Sequence, residues 1–303
     1  MRNSFAEKLF EIAQKDKNVI LMIGDLGYGV VNKFWEELPD QFINAGIAEQ
    51  NMLSIAAGLA LEGKTVFVYS IANFPTLRAL EQIRNDICYH NANVKIVSVG
   101  GGFSYGALGM SHHGTEDMAI LRALPNMCVF CPADKNESLV VTDYVHKKYG
   151  PCYIRLGKGG EPDIHNETIR FDGVNALKIH EGNNKEVVLF ATGSIIGEAL
   201  VANKYLSDMK QDVSIYSFLS IKPLDVELIR EVSLKYKKII TLEEHNILGG
   251  FGSAIAEIMS EQKSSAILKR IGLNDTYSSI VGSQEYLRNI YNMNYKILIK
   301  EII

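Results

Sequence analysis

Leu53-Ser54-Ile55-Ala56-Ala57-Gly58-Leu59-Ala60 is followed at once by Thr65-Val66-Phe67-Val68-Tyr69, a helix of small apolar residues feeding a β-branched strand. A matching run, Val19-Ile20-Leu21-Met22-Ile23, precedes both. The two runs lie too far apart for a hairpin, and a crossover helix between strands is what parallel pairing requires. Working outward, further short runs at Val94 to Val99, Cys128 to Cys131, Val187 to Ala191, Val213 to Phe218, Ile239 to Leu242 and Ala266 to Arg270 alternate with helical periodicity. The fold class is α/β, with two parallel-type sheets. The opening segment carries Phe5, Leu9, Ile12 and Ala13 on one helical stripe, with Ser4 and Glu7 at capping-box spacing.

The rhythm breaks at Gly157-Lys158-Gly159-Gly160-Glu161-Pro162-Asp163 and again at Glu181-Gly182-Asn183-Asn184-Lys185. These turn-rich stretches predict a first domain at 1–158, a linker at 159–180 and a second domain at 181–303, as expected for 303 residues. With 31 basic and 35 acidic side chains the formal charge is -4, which argues against nucleic acid or an anionic membrane as partner. No apolar run approaches the roughly 18–20 residues of a spanning helix and the start lacks a signal-peptide core, so a cytoplasmic location is expected. Cys128 and Cys131 have no second pair to complete a metal site, and they and Cys88 and Cys152 read as structural thiols.

Three constellations carry candidate chemistry. Gly27-Tyr28-Gly29, Gly100-Gly101-Gly102 and Gly249-Gly250-Phe251-Gly252 complete neither a dinucleotide fingerprint nor a P-loop. They suit either close backbone approach to a ligand or plain strand-to-helix turns. Glu49, in Gly46-Ile47-Ala48-Glu49-Gln50, is the sole charge between Asp40 and Glu62. It reads as a proton donor in apolar surroundings or as a first-turn glutamate complementing its helix. His112 and His113 precede a helix that starts near Thr115, suited to acid/base work or anion binding, or to a plain surface turn. Glu243, Glu244 and His245, at a strand end, read as structural or interfacial.

Taken in order, Arg2 with Gly24-Asp25-Leu26-Gly27, Gly46-Ile47-Ala48-Glu49-Gln50, Tyr69 to Arg84, His112, Arg122-Ala123-Leu124-Pro125-Asn126-Met127, Pro132-Ala133-Asp134 and Tyr153-Ile154-Arg155-Leu156-Gly157 resemble the C-terminal half of transketolase. Gly193-Ser194 and Glu243-Glu244-His245-Asn246 with Gly249-Gly250-Phe251-Gly252 resemble its last domain. The likeness extends more loosely to deoxyxylulose-phosphate synthase and 2-oxoacid dehydrogenase beta subunits. It implies a pyrimidine-binding domain followed by a transketolase C-terminal domain.

The resemblance implies thiamine diphosphate as cofactor and transfer of a two-carbon ketol unit between sugars. The family's Gly-Asp-Gly motif for diphosphate and Mg²⁺ is missing, since Gly24-Asp25-Leu26 is not one. It therefore implies a split enzyme: a partner subunit with the pyrophosphate domain holds the metal, in an assembly with two chains of each kind. Glu49 would bond the pyrimidine N1′, with Phe74 stacked on the ring and Tyr69, Asp25 and Ile71 beside it. His112, His113, Arg2, Arg155 and Arg78 would meet the substrate, the two arginines 2 and 155 as phosphate ligands. The departures are Leu108, where an aspartate that reads the donor C2 hydroxyl is usual, Gly100 and Gly29 in place of a second histidine and a serine, and Ile71 for a phenylalanine. A specialised sugar pathway follows from them, with another thiamine enzyme's beta subunit or a noncatalytic paralogue as rival readings.

Overall fold

The computed structural model describes residues 1–165, 167–262 and 264–303. The first half runs α1 (Arg2–Lys15), β1 (Val19–Ile23), α2 (Asn32–Glu37), β2 (Phe42–Asn44), α3 (Glu49–Leu61), β3 (Thr65–Ile71), α4 (Leu80–Gln82), β4 (Val94–Val99), α5 (Asp117–Arg122), β5 (Cys128–Phe130), α6 (Lys135–Lys147) and β6 (Cys152–Leu156). The second half runs β7 (Leu177–His180), β8 (Asn184–Ala191), α7 (Ile196–Ser207), β9 (Val213–Ser217), β10 (Ser220–Lys222), α8 (Val226–Lys235), β11 (Lys238–Asn246), α9 (Phe251–Ser260), β12 (Ile267–Leu273), α10 (Gln284–Ile290) and α11 (Tyr295–Ile302).

Strand order is β10-β5-β6-β4-β3-β1-β2 in one sheet and β12-β11-β8-β9-β7 in the other. The apolar runs are continuous because both faces of the sheets are covered. Along β1, Ile20 and Met22 enter one core while Val19, Leu21 and Ile23 enter another. The first of these cores also takes in Phe190, Phe218 and Phe251, so the two halves share packed interior.

The two parallel-type sheets each carry one antiparallel edge pairing, β10 with β5 and β7 with β9. Two expectations are corrected. The stretch 159–180 is not all linker: its last residues form β7 of the second sheet, and β10, from the second half, completes the first sheet. Ser4 caps nothing, since α1 already begins at Arg2 and has no side-chain cap. The Met1 nitrogen lies 3.1 Å from Glu161 Oε2, and both groups are buried.

Candidate active site

The carboxyl ends of β1, β3, β4 and β6 meet at one edge of the first sheet, the edge where open α/β folds receive ligands. Glu49 is the first residue of α3 and is 3% exposed, placed where the helix dipole favours a carboxylate. It is not the lone carboxyl that its sequence surroundings suggest, because Arg78 Nη1 donates to Glu49 Oε2 at 2.8 Å. The Arg78 guanidinium lies 4.7 Å from the centroid of the Phe74 ring, and that ring meets His112 edge-on at 5.2 Å. Glu49, Arg78, Phe74 and His112 thus form one continuous ladder.

A second group surrounds Tyr69. Burial pushes its phenol well above the usual range, with Tyr105 adding to the shift and Arg2 opposing it. Lys158 Nζ sits 5.9 Å from the Tyr105 ring, and a side chain at Gly159 would come within 4.0 Å of Arg2. A side chain at Gly27 would meet Tyr69 at 3.2 Å, which puts the loop bearing Asp25 at the same edge. Hydrogen bonds from Tyr28 and Asn44 hold the Asp25 carboxyl below its ordinary value. Ile71, the last residue of β3, is half-buried. Gly100 has φ +90°, and a side chain there would run into the Tyr105 ring at 2.1 Å. Tyr105 thereby fills the space that a histidine at this position would use.

Other expected residues part company with these groups. Arg155 is buried: Nε donates to Asp117 Oδ2 at 2.8 Å, and Nη2 donates to the carbonyls of Gly114 at 2.6 Å and Glu244 at 3.0 Å. Its donors are spent inside the fold, so it is corrected from phosphate ligand to junction residue. His113 is also corrected, since its ring is buried against Phe103 and its Nε2 faces the Gly106 carbonyl at 3.3 Å. Burial lowers its pKa. Leu108, 55% exposed, and Met110, 54% exposed, instead present apolar side chains on the loop that carries His112. The exposed cation that sequence reading misses is Lys158, hidden in a polar stretch that reads as linker.

Glu243, Glu244 and His245 are buried near the end of β11. Burial pushes Glu243 up to about 7 even though it accepts from the Phe251 and Gly252 amides at the start of α9. Burial holds His245 down at about 4, and Glu244 accepts from the Phe103 amide across the two halves. Among the described residues no group of three His, Cys, Asp or Glu side chains could hold a metal ion.

Residues 1–161 match the transketolase pyrimidine-binding domain, and residues 176–294 match the transketolase C-terminal domain. The chain belongs to the transketolase family. A subunit of the apulose-4-phosphate transketolase of Actinobacillus succinogenes is 32% identical over 295 residues, covering 97% of this chain and 94% of that protein. A subunit of the 6-deoxy-6-sulfo-D-fructose transketolase of Clostridium sp. is 31% identical over 301 residues, covering 99% and 92%. Among solved structures, a split gene transketolase described as an inactive beta4 tetramer superposes with a TM-score of 0.91 at 34% identity, over 99% of this chain and 96% of that one.

Transketolases use thiamine diphosphate, and the ladder offers what its aminopyrimidine needs. Phe74 provides an aromatic face, and Glu49 provides a carboxyl at one edge of the same space. The guanidinium now lying there is itself planar and donates to that carboxyl. A flat, nitrogen-bearing group therefore fits between these two side chains.

Proposed function

We propose that this chain is the pyrimidine-binding subunit of a split transketolase that moves a two-carbon ketol unit between sugars. The observation that carries the reading is Glu49, a buried carboxylate at a helix start with an aromatic platform, Phe74, one guanidinium away. Thiamine diphosphate supplies the nucleophilic carbon of such a reaction. This chain's part is to hold the pyrimidine by Glu49 and Phe74, with Tyr69, Ile71 and Asp25 lining the approach. His112 handles sugar hydroxyls and their protons beside the ring.

Diphosphate and Mg²⁺ belong, in this reading, to a partner subunit in an assembly of two chains of each kind. The lack of a Gly-Asp-Gly motif supports that division. Relatives named as subunits and of matching length support it too. The subunit works in the reducing cytoplasm, in keeping with four free thiols. Arg2 and Lys158 are the cations available for a substrate phosphate or other anionic end, since Arg155 is enclosed.

Leu108 and Met110 present exposed apolar side chains on the loop that carries His112, and in this reading they face the sugar. Leucine accepts no hydrogen bond, and a missing partner in a site for sugar hydroxyls is worth about 1–3 kcal/mol. Donor choice therefore departs from that of a housekeeping transketolase, as the sugars in the relatives' names also suggest. The test is a donor and acceptor screen on the complex reconstituted with its partner, with pyruvate included. Turnover is expected with a specialised ketose donor. Equal turnover with xylulose 5-phosphate plus ribose 5-phosphate would refute the specificity, and pyruvate as the preferred donor would refute ketol transfer.

A further inference from the structure

Arg78 occupies the space between Glu49 and Phe74, a contact with no counterpart in the proposed chemistry. Its Nη1 donates to Glu49 Oε2 at 2.8 Å and its Cζ lies 4.7 Å from the centroid of the Phe74 ring. Those are the same two interactions, an edge-on hydrogen bond to the carboxyl and a face on the aromatic ring, that a planar heterocycle would make there. A ring that made those two contacts would take the guanidinium's place between the two side chains.

We propose that Arg78 is a built-in occupant of the pyrimidine site, closing it in the free subunit and leaving when thiamine diphosphate enters. The proposal rests on the function put forward above and adds a regulation of the same site. The surroundings confine the change to one side chain. Thr76 Oγ1 donates to the Ala72 carbonyl at 2.7 Å, the Leu77 amide donates to Asn73 O at 3.1 Å, and Gln50 Nε2 donates to Arg78 O at 3.2 Å. Pro75, Thr76 and Ala79 are buried, so the backbone either side is anchored. The Arg78 side chain is 49% exposed, and its stem can turn toward solvent by rotamer changes alone.

The occupant also explains why an apolar helix start tolerates Glu49 before any cofactor arrives. The Glu49 carboxylate is 3% exposed, and the half-exposed Arg78 pairs with it until a ligand replaces it. A subunit without cofactor is thereby stable and closed, and its affinity is reduced by the fraction of time that Arg78 is seated.

The experiment is calorimetric titration of thiamine diphosphate with Mg²⁺ into complexes reconstituted from wild type, Arg78→Gln, Arg78→Lys, Glu49→Gln and Glu49→Gln/Arg78→Gln. Arg78→Gln is expected to bind about three- to tenfold more tightly, the size of a half-exposed ion pair and a cation–π contact given up together. Arg78→Lys, which keeps the charge without the planar fork, should fall between. In the Glu49→Gln background the Arg78→Gln gain should shrink to the share of the Phe74 contact alone. Equal or weaker binding by Arg78→Gln beside a binding wild type would overturn the proposal while sparing the function. No binding by any complex would overturn the function and the proposal with it. Melting temperatures of the five complexes, measured without cofactor, separate a loss of folding from a loss of affinity.

Discussion

Replacing Asp117 by asparagine keeps the shape of the junction between the two halves and removes one charge. In the native chain Asp117 Oδ2 accepts from Arg155 Nε at 2.8 Å and from the Tyr153 hydroxyl at 2.5 Å, with both members of the ion pair buried. Burial works against the Arg155 charge, yet Asp117, Cys131 and Tyr153 hold its pKa above the ordinary value. With asparagine in place the guanidinium is left in low dielectric without its carboxylate, which costs about 3–5 kcal/mol. That is a large part of a typical 5–15 kcal/mol of total stability. The assay is equilibrium unfolding in urea at pH 7, followed by circular dichroism, with Asp143→Asn as control. Asp143 pairs with Lys147 at 2.5 Å on the surface, and losing that pair should cost no more than about 0.5 kcal/mol. A loss below about 1 kcal/mol for Asp117→Asn would refute the view that this ion pair pins the junction.

The same junction makes a pH prediction with two opposing signs. His245 has its folded pKa lowered to about 4, so its contribution is present above the unfolded value near 6.5 and is lost as pH falls through 4. Glu243 is raised to about 7, so its contribution is present below about 4.5 and is lost as pH rises through 7. The two slopes offset each other between about pH 4.5 and 6.5, each worth on the order of 3 kcal/mol in full. Relative to wild type, Glu243→Gln should show stability rising with pH across that window, and His245→Gln should show it falling. Urea unfolding at several pH values checks both, and parallel profiles for all three proteins would contradict the assignment. At the site itself, Glu49→Gln should lower turnover of the reconstituted complex by about 10²–10⁴-fold while leaving the melting temperature almost unchanged. Full activity in that variant would sink the proposed role and favour a noncatalytic subunit.

The legible parts of the fold are those written in local pattern. β1, β3 and β4 are unbroken apolar or β-branched runs because both of their faces are covered, and they stand within a residue or two of where the sequence places them. β6 is harder to see because Arg155 interrupts its apolar run, and the partner that makes that arginine tolerable, Asp117, lies far away in sequence. β2 and β10 are three residues each, and β7 is an edge strand with mixed burial, so none carries a periodic signal. The candidate site divides in the same way. Glu49 stands out by its isolation among apolar residues, whereas its pairing with Arg78 and the enclosure of Arg155 depend on contacts between distant segments. Lys158 is obscured for the opposite reason: glycines on both sides lend it the look of a linker.

The central claim is that this chain carries half of a thiamine diphosphate site, and one titration tests it most directly. Thiamine diphosphate and Mg²⁺ are titrated calorimetrically into the chain alone and then into the chain mixed with its pyrophosphate-domain partner. Tight binding only in the mixture is the predicted result. Tight binding to the chain alone would contradict the divided site, and no binding in either case would contradict the cofactor assignment itself.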